Sequence, residues 1–266
     1  MSLDVSDPAM LDSHPSASML QRFLPEIIHF NYQSSVGIHA DHLGRLGIDT
    51  PVFEALAQTE SGRTVLSRLI VQRFELDDAY TEFDAPQSRI ALLHGRSIES
   101  LIRYGAAAVL GKNLRTVLRK ADRDYLKRKL GAQEWDFGIR QAELVVGRSM
   151  LEYRQLLKLP DPLSSREGLL SAFFEVARSI LWDVLPWQQA ACSRRVCLKL
   201  PSWCDPDSES LMDVGEAEAR GDSEDGEQDH VNHAKPDPQR STAAWGLTRK
   251  LLRTTIGSKW LTYFEF

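Results

Sequence analysis

The sequence predicts a mainly α-helical protein, on three observations. Apolar residues recur at helical spacing through most segments between residues 20 and 200, and several of those segments open with helix-start signals. Only one stretch, CSRRVCLKLP at 192–201, alternates apolar and polar residues with the two-residue period of a strand. The expected organisation is a mobile N-terminus at 1–18 and a single helical domain with one short strand or hairpin at 19–204. An acidic flexible linker at 205–240 and a C-terminal amphipathic helical tail at 241–266 follow.

The elements follow in order. LQRFLPEIIHF, residues 20–30, gathers Leu20, Phe23, Leu24, Ile27, Ile28 and Phe30 around Pro25, as in a short helix that starts near the proline. Thr50-Pro51 reads as an N-cap followed by proline at the first helical position. A helix is expected over Arg63 to Phe74, with Val65, Leu66, Leu69, Ile70 and Phe74 on its apolar face. Ile98, Leu101, Ile102, Gly105 and Val109 define a further helix. A separate one, capped by Asn113, is expected through Leu114, Val117, Leu118, Ala121, Leu126 and Leu130. Ser164-Ser-Arg-Glu167 is a capping-box pattern. The broad apolar stripe that follows, from Leu169 to Leu185, makes this the strongest core helix, and Pro186 ends it. From Ala243 onward Trp245, Leu247, Leu251, Leu252, Ile256 and Trp260 return to amphipathic helical spacing. Trp245 and Trp260, with Tyr263, Phe264 and Phe266, form an aromatic-rich end. It can dock on its own domain, in a partner groove or at a membrane interface.

Charge is unevenly spread. The chain of 266 residues has a net charge of -5, but 205–238 holds twelve acidic residues against Arg220 and Lys235, a net -10. The rest is therefore +5, and Arg89 to Leu130 alone carries eleven basic residues against Glu99, Asp122 and Asp124, a net +8. An acidic tract without aromatics buries too little surface to offset its ordering entropy, hence the expectation of a swollen linker. Arg115, Arg119, Arg123 and Lys127 recur at four-residue steps, and Lys120 lies beside them. On the helix expected after Asn113 the four-residue steps put Arg115, Arg119, Arg123 and Lys127 in an outward, self-repelling stripe, which hints at an acidic partner. Three readings stay open for the basic stretch: the solvated face of helices, a nucleic-acid or lipid surface, and a face covered by the acidic linker.

Several functional classes are excluded or left without support. No uncharged apolar run approaches the ~20 residues of a membrane span. The first twenty residues carry no Lys or Arg, unlike a secretory signal. Cys192, Cys197 and Cys204 are too few for a disulfide framework and fit a reducing compartment. With His230 and His233 they show none of the close pairs of a zinc site. The run from Gly105 to Asn113 resembles a phosphate-binding loop but has five residues between its glycines and no hydroxyl after the lysine. His29 and His94, in apolar contexts, read as core histidines. No catalytic constellation is present, so no catalytic residue, cofactor or metal is assigned.

Together, three segments resemble the SctK family of type III secretion systems, of which YscK is the best-known name. The first is LQRFLPEIIHF, with Leu20, Phe23, Pro25 and His29 at the matching places. The second is LLHGRSI, with His94 and Gly95, followed by the basic helical region and RQAELVVG at 140–147. The third pairs the 166–186 helix with CSRRVCLKLP, where Leu198, Leu200 and Pro201 match. The acidic tract departs from the family as an insertion. The resemblance implies a helical, non-enzymatic adaptor of the cytoplasmic sorting platform, without small-molecule substrate or cofactor. It would link the cytoplasmic domain of the inner-membrane ring protein SctD to the SctQ pods, and through them to SctL and the export ATPase. The partner-facing expectation falls on Arg115, Arg119, Lys120, Arg123 and Lys127. A nucleic-acid-binding regulator using helices 89–130 is the alternative from another class.

Overall fold

The computed structural model describes residues 21–76, 78–159, 165–185, 190–205 and 237–255. Among these, thirteen α-helices and three short 3₁₀ turns account for the regular structure, and no strand is present. The expected strand is therefore replaced by a helix, Ala190–Leu198. Its alternating pattern has a packing cause. Val196 and Leu200, four apart, face the main core with Cys192, while Leu198 turns into a second, smaller cluster. A helix end wedged between two apolar clusters is apolar on both sides, and over five residues that mimics a period of two.

The N-terminal part comprises α1 (Leu24–Tyr32), α2 (Ser34–Gly37), α3 (Leu43–Leu46), α4 (Thr50–Ala57) and α5 (Glu60–Arg73). Pro25 sits in the first turn of α1, as expected. Asp49, not Thr50, holds the N-cap position of α4. The smaller cluster lies here, with Leu43, Leu46, Phe53, Leu66, Ile70 and Leu76 around Leu198. Helix α1 instead sends Phe23, Ile27 and Phe30 into the main core. The family-motif residue Leu20 lies outside the described residues.

The main core is organised by α6 (Gly95–Arg115), which packs most extensively on α8 (Ala132–Arg140) and α11 (Arg166–Val184). Its middle, Gly105 to Ala108, carries almost no side-chain bulk, and the run from Gly105 to Asn113 that resembled a phosphate loop is a helix interior. A Cβ on Gly138 would stand 2.5 Å from the Ala107 carbonyl oxygen, and one on Gly111 would run into the Gly138 carbonyl. The two backbones touch, so glycine is required on both sides of this crossing.

Helix α6 does not stop before Asn113. Asn113 is buried inside it, and its Oδ1 accepts a hydrogen bond from Arg154 Nη2 at 2.8 Å. The chain turns at Thr116, whose hydroxyl donates to the Asn113 carbonyl, and α7 runs from Lys120 to Leu130. Helices α9 (Ala142–Val145) and α10 (Gly147–Leu156) follow. The cap of α11 is Ser165, which accepts from the Gly168 amide at 2.9 Å; Ser164 is outside the described residues. After α12 (Ala190–Leu198) the last helix, α13 (Pro238–Thr255), lays Ala244, Leu247, Leu251 and Leu252 into the main core against α10, α11 and α6. Residues 206–236 and 256–266, with most of the acidic tract and the aromatic end, lie outside the described residues.

Candidate functional site

The five basic residues singled out above do not form one helical stripe. Arg115 belongs to the last turn of α6, Arg119 is the N-cap residue of α7, and Lys120, Arg123 and Lys127 lie on α7 itself. The turn at 116–119 breaks the four-residue register between Arg115 and the others. Two of the five are already engaged: Arg115 Nη2 lies 2.7 Å from Glu143 Oε1, and Lys127 Nζ lies 3.4 Å from Asp136 Oδ1. Asp122 faces Arg166 at 3.8 Å. Arg119, Lys120 and Arg123 are exposed and make no side-chain hydrogen bond or ion pair among the described residues. Arg119 and Lys120 also sit at the positive end of the α7 dipole, an arrangement that costs roughly 0.3–1 kcal/mol per cation.

The three segments that carry the family motifs meet elsewhere, around Lys199, which no sequence motif singled out. Lys199 Nζ donates to the carbonyls of Ala91 (2.8 Å) and Leu93 (3.3 Å) and lies 4.6 Å from the centre of the Phe30 ring. One side chain thus ties the end of α12 to α1 and to the 3₁₀ turn Ser88–Leu92 that leads into α6. Burial pushes its pKa down to about 7, against a smaller opposing pull from Cys192. Gly95 opens α6 directly against the Lys199 backbone, where a Cβ would strike the carbonyl oxygen. Of the other motif positions, Phe23 and Leu200 are buried in the main core and Leu198 in the smaller cluster; Pro201 is buried and Pro25 is exposed.

The histidines fall differently from expectation. His29 is half-buried and lies 2.9 Å from Gln33 Oε1 through Nδ1, and His94 is the exposed N-cap residue of α6. The core histidine is His42. Its Nε2 lies 3.1 and 2.9 Å from the carbonyls of Cys197 and Leu200, which fixes the Nε2–H tautomer as the donor. Arg195 Nη2 donates to the Leu76 carbonyl at 2.5 Å, a further tie from α12 to the N-terminal part.

A cavity of about 20 Å³ opens beside Lys199, lined by His29, Phe30, Gln33, Gly37 and Arg195. It has room for about one water. Burial raises the Cys192 thiol to about 12 and Cys204 higher still, so neither is an activated nucleophile. Among the described residues no group of three or more His, Cys, Asp or Glu is placed to hold a metal ion, and no helix is long and apolar enough to cross a membrane. Here polar groups hold segments together, and the uncommitted chemistry lies on the surface. The signal for Lys199 was a lone cation between buried leucines, hidden by its placement in a supposed strand.

No curated protein and no solved structure matches the chain. Residues 21–219, well over half of its length, match the model of YOP proteins translocation protein K (YscK), and the chain belongs to that family of type III secretion accessory proteins.

Proposed function

We propose that this chain is a non-enzymatic adaptor of the type III secretion sorting platform, working in the cytoplasm at the inner-membrane apparatus. It links the cytoplasmic domain of SctD to the SctQ pods, and through them to SctL and the export ATPase. The family match over residues 21–219 carries this reading. The geometry supports it. The three motif segments converge on an internal joint, and the free charge at Arg119, Lys120 and Arg123 is directed outward, as a protein gripped by partners requires. In this reading residues 19–204, together with α13 (Pro238–Thr255) packed into the main core, form the docking body, and the acidic segment between them serves as a linker.

Co-purification tests it. Tagged full-length chain should retain SctQ and the SctD cytoplasmic domain from the same secretion system. The Arg119→Glu/Arg123→Glu variant should lose one of them while its circular dichroism is unchanged. A wild-type chain that retains neither protein defeats the adaptor reading.

A further inference from the structure

The two most exposed large apolar side chains among the described residues are Leu144, 89% accessible, and Leu118, 85% accessible. Single exposed leucines are ordinary. These two lie on segments that an ion pair joins. Leu118 follows Arg115 by three residues and Leu144 follows Glu143 directly, and the 2.7 Å Arg115–Glu143 ion pair clamps the two segments together. Immediately after Leu118 come Arg119, Lys120 and, one turn on, Arg123, all exposed and unengaged among the described residues. The neighbouring acidic groups are Glu143 and Asp122, both paired, and Asp124, which forms no ion pair among the described residues.

We propose that Leu118 and Leu144 are apolar anchors of a docking patch rimmed by Arg119, Lys120 and Arg123, and that its occupant is an acidic protein segment with apolar side chains of its own. This rests on the adaptor reading and names the chemistry of the partner surface. Charge complementarity argues for the acid: three cations without an ion-pair partner, against the single free acid Asp124, leave a net positive edge that attracts and orients a negative segment. The leucines argue for protein. Nucleic-acid phosphates gain nothing from an apolar anchor, since their contacts are made by cations and polar groups. A bilayer surface would accept leucines and cations together, but it takes up a helix by a continuous apolar face. The apolar face of α7, at Leu126 and Leu130, is wholly buried in the core, leaving no such face to immerse. Two leucines on separate segments joined by an ion pair fit a pocketed protein partner better.

The test is a titration of the full-length chain against SctQ and, separately, the SctD cytoplasmic domain, at about 50 and about 300 mM salt. Leu118→Ser/Leu144→Ser is expected to weaken binding to one of them by roughly tenfold or more at both salt concentrations. Arg119→Glu/Arg123→Glu is expected to weaken it strongly at low salt and less at high salt. Both variants alter exposed positions, so an unchanged melting temperature controls for folding. If wild type binds either protein and the leucine variant binds as tightly, the patch is overturned while the adaptor reading stands. If wild type binds neither, the adaptor reading itself fails. Duplex DNA or anionic vesicles that bind wild type and release both variants would replace the proposed occupant.

Discussion

Replacing Arg240 by methionine is expected to lower the stability of the fold by about 2 kcal/mol. Asp183, on α11, is only 5% accessible, and its Oδ2 is the focus of three donors. Tyr153 Oη donates from α10 at 2.6 Å, and Arg240 Nη2 and Nε donate from α13 at 2.9 and 3.2 Å. Burial disfavours the charged guanidinium, but the Asp183 carboxylate and Tyr153 together more than offset it, so the Arg240 pKa lies above its usual value. Removing one partner of a buried ion pair typically costs about 3–5 kcal/mol. Here the arginine side chain is 34% accessible, so water can enter its place and solvate the stranded carboxylate. That discounts the loss to about 2 kcal/mol. Tyr153→Phe should cost about 1.5–3 kcal/mol, the range for a hydrogen bond to a charged acceptor. Urea denaturation of the four proteins of a double-mutant cycle measures both losses and their coupling. The decisive background is Asp183→Leu, in which Arg240→Met should cost less than about 0.5 kcal/mol, because the charge it served is gone. An undiminished cost there would show that Arg240 acts through packing of its stem, and the carboxylate-centred account would fail.

Three further outcomes follow from the packing. Gly138→Ala should destabilise by about 1–3 kcal/mol, the usual cost of overpacking, because its Cβ would press on the Ala107 carbonyl at the α6–α8 crossing; a melt that leaves the midpoint unmoved contradicts that contact. Lys199 has its pKa lowered to about 7 by burial, so between that pH and its ordinary value near 10 the unfolded chain holds a proton the folded one does not. Stability should rise with pH from about 7 to about 8, by no more than about 1.4 kcal/mol per unit, and Lys199→Met should lack that rise; at higher pH the raised Cys192 and Cys204 thiols act in the opposite sense, because there the folded chain keeps protons the unfolded one has lost. Cys192 and Cys204 are buried with raised thiol pKa values, so both should react with a thiol reagent only as fast as the protein opens; rapid labelling of either in native buffer would refute their placement.

Much of the helical architecture was legible because long amphipathic segments report their own period. The helix after Ser165 and the one through Ile98 and Val109 announce themselves by several buried residues each. Boundaries were less legible. Asn113 reads as a cap because its side chain competes locally for backbone groups, but Arg154, forty-one residues away, claims its Oδ1 and keeps it inside α6. Ser164 and Ser165 are chemically equal as caps, and only the observed bond to Gly168 distinguishes them. His42 and Lys199 were invisible for a related reason. Each is defined by carbonyls distant along the chain, 155 or more residues for His42 and 106 or more for Lys199, and no local pattern encodes such partners.

The basic region shows why a surface is harder to read than a core. Four-residue spacing from Arg115 to Lys127 predicts one stripe only if the helix is unbroken, and apolar periodicity cannot test that, because Val117 and Leu118 continue the pattern through the turn. In the folded chain Val117 is partly buried and Leu118 is not, so the same two letters belong to a core edge and to solvent. Once the break is placed, the charges re-sort: Arg115 and Lys127 answer acids on neighbouring helices, while Arg119, Lys120 and Arg123 answer none among the described residues. Net charge along the sequence is therefore a poor guide to binding. What remains after internal pairing is the quantity a partner meets, and here it is three cations beside two uncovered leucines. A partner selected by that residue set must bring both negative charge and apolar surface, which charge counting alone would never have required.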